Sequence, residues 1–153
     1  MDVSFEKILF CTDFSAGAAN ALKYAVKAAL RNSARLYVLH VVPEADAQFW
    51  KGYVVEDGHD LARENAATLE DKLRAEYAPQ IPPDVWWEPR LDAGPAPDRI
   101  AAFVRENGIS LVVMGRPRPR FLRSLLFGSV AAKVARTIEC PLLIVPYRKE
   151  PHV

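Results

Sequence analysis

Three short segments of this 153-residue chain combine residue types that recognise an anion. Asp13 follows the apolar run KILFCT, Gly115 ends the apolar run LVVM, and Gly128-Ser129 opens a stretch with helical spacing from Ser129 to Thr137. The first amides of a helix have no partner within the helix, and its dipole favours negative charge there, so the Ser129 segment offers donors to a phosphate. Arg116, Arg118, Arg120 and Arg123 add four cations to the intervening loop, and guanidinium groups grip phosphate in bidentate fashion. Each feature has a plainer reading that stays open. Asp13 is also a preferred turn and cap residue, Gly-Ser is also an ordinary helix start, and exposed arginines are often simply hydrated. An RNA surface is disfavoured, because aromatic residues other than Phe121 do not interleave with the arginines.

Other reactive side chains form no constellation. Cys11 and Cys140 make no CxxC pair and no metal-ligand spacing, and both read as core positions. Cys11 has no base or oxyanion site assigned beside it. His40 lies in an apolar run and reads as a structural histidine, while His59 and His152 are isolated, so no metal is implied. The chain contains no GxxxxGK[ST] loop, no GxGxxG after a strand and no GxSxG elbow, which disfavours typical kinases, dehydrogenases and hydrolases. No catalytic residue is assigned.

The elements that must position these groups alternate. Apolar runs at 7–12, 35–42, 85–91, 111–114 and 142–145 read as strands, the third interrupted by Pro89. Between them, helical spacing covers 16–31, 59–77, 98–106 and 129–137, with Ser15 a cap signal and Asn107-Gly108 a stop. Ala18, Leu22, Tyr24, Val26, Ala29 and Leu30 are expected to form the buried face of the first helix. Continuous apolar strands between amphipathic helices imply an α/β fold, a doubly wound five-stranded parallel sheet. With strand order 3-2-1-4-5 the reversal lies between the first and fourth strands, and ligands bind beyond the carboxyl ends of strands at such a reversal. That places Asp13, the loop after Gly115 and the Gly128-Ser129 helix start around one crevice. Phe49, Trp50 and Tyr53 either cover the ligand, contact a partner or pack onto the core.

Composition bounds the setting. A net charge of +1 gives no general attraction to nucleic acid or an acidic membrane, and 50% hydrophobic with 25% charged residues is ordinary for a globular domain. One domain over 1–153, with an ordered core of about 4–147, is expected. The acidic start MDVSFEKILF is unlike a signal peptide, and no apolar run reaches the roughly 18 residues of a membrane span. A cytoplasmic location follows as the expectation.

ILFCTDFS, LHVV, LDAGPAPDRIAAFVRENGISLVVMG and GSVAAKVARTIECPLLIVP together resemble the universal stress proteins, with the C-terminal block the most specific. The resemblance implies an adenine nucleotide α-hydrolase-like fold, a stress-response role, binding of ATP or AMP with at most weak ATP hydrolysis or self-phosphorylation at Ser129, and a homodimer through the last strand. It implies Asp13 on the ribose or adenine side, Val41 at the adenine, and Gly115, Gly128, Ser129 and Val130 along the ribose and phosphates. The nucleotide-binding branch carries a second glycine three residues after the first, where this chain has Arg118 flanked by Pro117 and Pro119. That loop therefore loses amide donors and gains cations, so arginine side chains would replace amides at the phosphates, with Mg²⁺ absent or differently placed. The alternative is a family member that binds no nucleotide and works as a dimeric protein-interaction module.

Overall fold

The computed structural model describes residues 2–42, 61–116 and 129–147, with side chains described throughout except at 61–66 and Ser129. Strand β1 is Lys7–Cys11, β2 Arg35–Val42, β3 Trp87–Ala93, β4 Leu111–Gly115 and β5 Leu142–Val145. Helix α1 is Ala16–Asn32, α2 Leu61–Tyr77, α3 Ala96–Asn107 and α4 Ser129–Thr137, and a 3-10 turn at Ala78–Gln80 closes α2. The sheet order is β3-β2-β1-β4-β5 and every pairing is parallel. Cys11 is level with Leu39 on one side and Met114 on the other, so β1 and β4 end within one residue of each other while β2 runs on to Val42.

Side chains alternate across a strand, and here each alternate set finds a separate core. Ile8 and Phe10 of β1 join Leu36, Val38, Val113 and the inner faces of α1 and α2. Leu9 and Cys11 join Tyr37, Leu39, Val112 and Met114 beneath α3 and α4. Leu73 and Tyr77 dock α2 and Val134 docks α4, all three at 0% exposure. The buried stripe of α1 is Ala18, Ala21, Leu22, Ala25, Val26 and Ala29. Tyr24 and Leu30, expected in that face, are 51% and 45% exposed. A helix turns about 100° per residue, which carries both positions off the stripe.

The third strand differs from the sequence expectation: it is Trp87–Ala93, two residues later than 85–91. Val85 remains a core residue, but its N–H donates to Pro82 O at 3.0 Å in the turn that precedes the strand. Pro89 is accommodated by parity. Leu36 N–H donates to Trp86 O at 3.0 Å and Gly94 N–H to Val42 O at 3.2 Å, so even-numbered residues of β3 bond to β2. Pro89 therefore directs its missing N–H to the open side of an edge strand. On the other edge, Val112 N–H donates to Pro141 O and Arg116 N–H to Val145 O, so Leu142 and Ile144 of β5 turn their backbone groups outward. Helix α3 begins at Ala96 rather than Asp98, with Pro97 in its first turn, where a missing N–H removes no helical bond. It ends at Gly108, whose φ of 64° suits the left-handed cap.

Candidate functional site

Doubly wound topology puts the starts of α1, α3 and α4 at the carboxyl end of the sheet. α1 packs over one face after β1, and α4 packs over the other face after β4. The two chain exits diverge and leave a crevice of about 190 Å³. Leu39, Val41, Ala96, Ile100 and Met114 make its apolar lining, and Asp13, Ser15 and Arg116 add polar groups. Val130 and Ala131 bring the first turn of α4 to the same space. An apolar slot with charged and amide-rich borders accommodates a flat ring that carries a polar or anionic substituent.

Of the residues singled out from sequence, Asp13, Val41, Gly115 and Val130 line this one crevice. Ser129 is the first residue of α4. Arg118 and Gly128 lie outside the described residues, as do Arg120, Arg123, Phe49, Trp50 and Tyr53. Thr12, Ser15, Ala18, Leu39, Ala96, Ile100, Met114 and Ala131 were not anticipated as lining. Their signal was positional: they sit in the carboxyl halves of strands, just beyond them, or in the first two turns of helices, where the topology brings elements together.

The Asp13 turn is tightly specified. Asp13 Oδ1 accepts the Ser15 N–H at 2.9 Å, and Ser15 Oγ caps α1 by accepting the Ala18 N–H at 3.1 Å. Asp13 is thus both an exposed carboxylate at the crevice and a turn-forming residue. Phe14, next in the chain, has a φ of 63°. A residue with a Cβ pays roughly 1–2 kcal/mol there. Compensation comes from the Phe14 N–H, which donates to Thr12 Oγ1 at 2.9 Å, and from its ring, which lies 4.7 Å from the His40 ring and 6.1 Å from that of Tyr77. Lys72 Nζ stands 4.2 Å over the Phe14 ring. Thr12 Oγ1 and the Tyr77 hydroxyl are hydrogen-bonded inside the core. His40 Nδ1 lies 2.9 Å from the Thr12 carbonyl, which only accepts, so that nitrogen carries the proton. His40 is a satisfied structural histidine.

Gly115 has a role that its sequence context did not reveal. A Cβ there would lie 2.6 Å from Gly17 O and 3.0 Å from Ala18 N, so the end of β4 and the first turn of α1 touch backbone to backbone. Burial pushes the Cys11 thiol up to about 12, which keeps it protonated and unreactive at neutral pH. Burial also raises the Tyr77 phenol, and the negative charges of Glu76 and Asp13 act in the same direction. Among the described residues no three His, Cys, Asp or Glu side chains are grouped to hold a metal ion, and no helix is long and apolar enough to cross a membrane.

Comparison with known proteins gives a consistent result. The sequence model of the universal stress protein family matches residues 4–146. The Bacillus subtilis universal stress protein YxiE is 31% identical over 152 residues, covering 92% of this chain and 99% of that protein. The solved structure of MJ0577, a protein of Methanocaldococcus jannaschii, superimposes with a TM-score of 0.76 at 23% identity, over 97% of this chain and all of that one. A universal stress protein solved in complex with cAMP superimposes with a TM-score of 0.66 at 20% identity, over 94% of this chain and 98% of that one.

Proposed function

The chain belongs to the universal stress protein family, and from that premise we propose that it is a cytoplasmic stress-response regulator that binds an adenine nucleotide, ATP or AMP, in the crevice beyond β1 and β4. The observation that carries this reading is the convergence of Asp13, Val41, Gly115 and Val130, from four separate segments, on one apolar slot with polar borders. The cAMP complex of a neighbour with the same fold supports it. In this reading Val41 packs beside the base, Asp13 accepts hydrogen bonds from the ribose or base, and the first amides of α4 at Ser129 and Val130 face the phosphates with Gly115 and Gly128. Arg118 supplies a guanidinium to the phosphates in place of backbone amides.

The test is to denature the purified protein and assay released adenine nucleotide, then to add AMP and ATP to the emptied protein. Ligand at a hundred times its Kd stabilises a native state by about 2.7 kcal/mol, which in a domain of this size raises Tm by roughly 5–10 °C. Asp13→Ala should abolish that shift. Arg118→Gly should weaken ATP more than AMP, because the lost cation serves the outer phosphates; a gain in ATP affinity would show that the arginine obstructs. Absence of both released nucleotide and any thermal shift would replace this reading with the interaction-module alternative.

The same proposal pairs two copies through β5. Leu143 and Ile144 are 39% and 40% exposed on a strand whose outward edge is unpaired among the described residues. Sedimentation at micromolar concentration should give a dimer for the native chain and a monomer for Ile144→Lys.

A further inference from the structure

We propose that Tyr77, the last residue of α2, is a positioning residue for the Asp13 carboxylate, so that occupancy of the crevice and the seating of α2 are coupled. The proposal rests on the crevice being the nucleotide site. It starts from the connectivity of one side chain. Tyr77 is fully buried, 65 positions from Thr12 in sequence, and grips the turn on both sides of Asp13. Its hydroxyl bonds Thr12, the residue before, and its ring stacks at an interplanar angle of 15° on Phe14, the residue after. Phe10 meets the same ring edge-on at 5.6 Å and fixes its orientation from the core.

The turn needs such a hold because its own backbone resists the conformation. Phe14 sits in the left-handed region, and the ties that keep it there are the Phe14 N–H to Thr12 Oγ1, the His40 and Tyr77 rings, and Lys72 above. Two of these, Lys72 and Tyr77, come from α2. Release of Tyr77 would let Thr12 Oγ1 rotate and Phe14 relax toward negative φ. Asp13 would then lose its bond from the Ser15 N–H, and the carboxylate would no longer be aimed. Coupling between sites is reciprocal, so a ligand held by Asp13 must in turn tighten the last turn of α2.

The experiment compares the native chain, Tyr77→Phe, Asp13→Asn and the double variant. Tyr77→Phe keeps the ring and removes one hydroxyl. It should weaken AMP two- to tenfold by calorimetry and speed amide exchange at Phe14 and Ser15 several-fold, with exchange at Val112 and Val113 in the sheet centre unchanged. In the Asp13→Asn background the same substitution should change AMP affinity less than twofold. AMP should slow exchange over residues 73–77 in the native chain and not in Tyr77→Phe. Thr12→Val removes the Tyr77 partner together with the acceptor of the Phe14 N–H and should speed Ser15 exchange more than Tyr77→Phe does. Tyr77→Leu, which keeps Thr12, should speed it at least as much as Tyr77→Phe and covers a Tyr77→Phe protein that fails to fold. Unchanged Ser15 exchange in the substituted proteins overturns the proposal, as does an equal loss of affinity with and without Asp13. If the native chain binds no AMP, the nucleotide reading falls, and Ser15 exchange alone still decides whether Tyr77 positions Asp13.

Discussion

Gly115→Ala is expected to destabilise the ligand-free protein by about 2–3 kcal/mol, through packing alone. The added Cβ would stand 2.6 Å from Gly17 O, 2.7 Å from Gly17 C and 3.0 Å from Ala18 N. Optimal separation between non-bonded heavy atoms is about 3.5–4.0 Å, so the helix start and the strand end must part by up to about 1 Å. No rotamer change relieves the clash, because all three atoms are backbone. The first turn of α1 is also held by the Ser15 cap and by buried Gly17 and Ala18. Overpacking typically costs about 1–3 kcal/mol, and rigid partners place this case in the upper part of that range. For a domain of this size the loss corresponds to a fall in Tm of roughly 4–12 °C. Urea unfolding followed by tryptophan fluorescence, without nucleotide, measures it directly. Gly17→Ala is the control: its Cβ would meet Arg116 O at 3.2 Å and should cost no more than about 1 kcal/mol, since alanine favours a helix over glycine by a similar amount. A Gly115→Ala protein within about 0.5 kcal/mol of the native chain, or a Gly17→Ala protein that is the less stable of the two, would refute the close-approach reasoning.

Three further outcomes are expected. Cys11, raised from 9.0 to about 12 by burial, keeps its proton in the folded state where the unfolded chain has lost it, so its contribution is intact below pH 9 and is lost as pH rises from 9 to 12. Over that interval the native chain should lose up to about 1.4 kcal/mol per pH unit more than Cys11→Ala, read as a difference in slope by urea titration at each pH. Leu73→Ala removes a fully buried side chain that docks α2 and should cost about 2–5 kcal/mol by urea midpoint; a smaller loss would mean that α2 is weakly seated. Ser15→Ala deletes the α1 cap and should cost about 1 kcal/mol, with faster exchange at the Ala18 amide.

The alternation of strands and helices and, for the strand order 3-2-1-4-5, the meeting of Asp13 and Gly115 at one crevice were legible from patterning and chain topology, whereas Val41 and Val130 came only with the family resemblance. Runs such as KILFC and LVVM declare buried parallel strands, and a reversal of winding dictates where their ends gather. The register of β3 was harder to read. Val85 is apolar and buried like a strand residue, yet its burial comes from a turn, a distinction that only backbone hydrogen bonding makes. Tyr24 and Leu30 were misassigned because apolar character alone does not define a helix's inner face; angular position does, and both lie off the stripe set by Ala18, Ala21, Leu22, Ala25, Val26 and Ala29. Gly115 was noticed for the right position and for an incomplete reason, since its steric partner Gly17 is almost a hundred residues away in the chain. The Tyr77 contacts to Thr12 and Phe14 leave no local trace either. They arise from tertiary packing between residues whose types, taken singly, read as core.

Pro89 has a consequence for how far copies of this chain can assemble. One border of the sheet presents a residue with no amide to give, flanked by the paired charges Glu88 and Arg90, while among the described residues the opposite border presents outward backbone at Leu142 and Ile144 and the exposed side chains of Leu143 and Ile144. A sheet with one receptive border and one blunted border is disfavoured from propagating head to tail. If two copies join receptive border to receptive border, as in the proposed dimer, both borders are used up and growth stops at a closed pair rather than extending into filaments along the sheet.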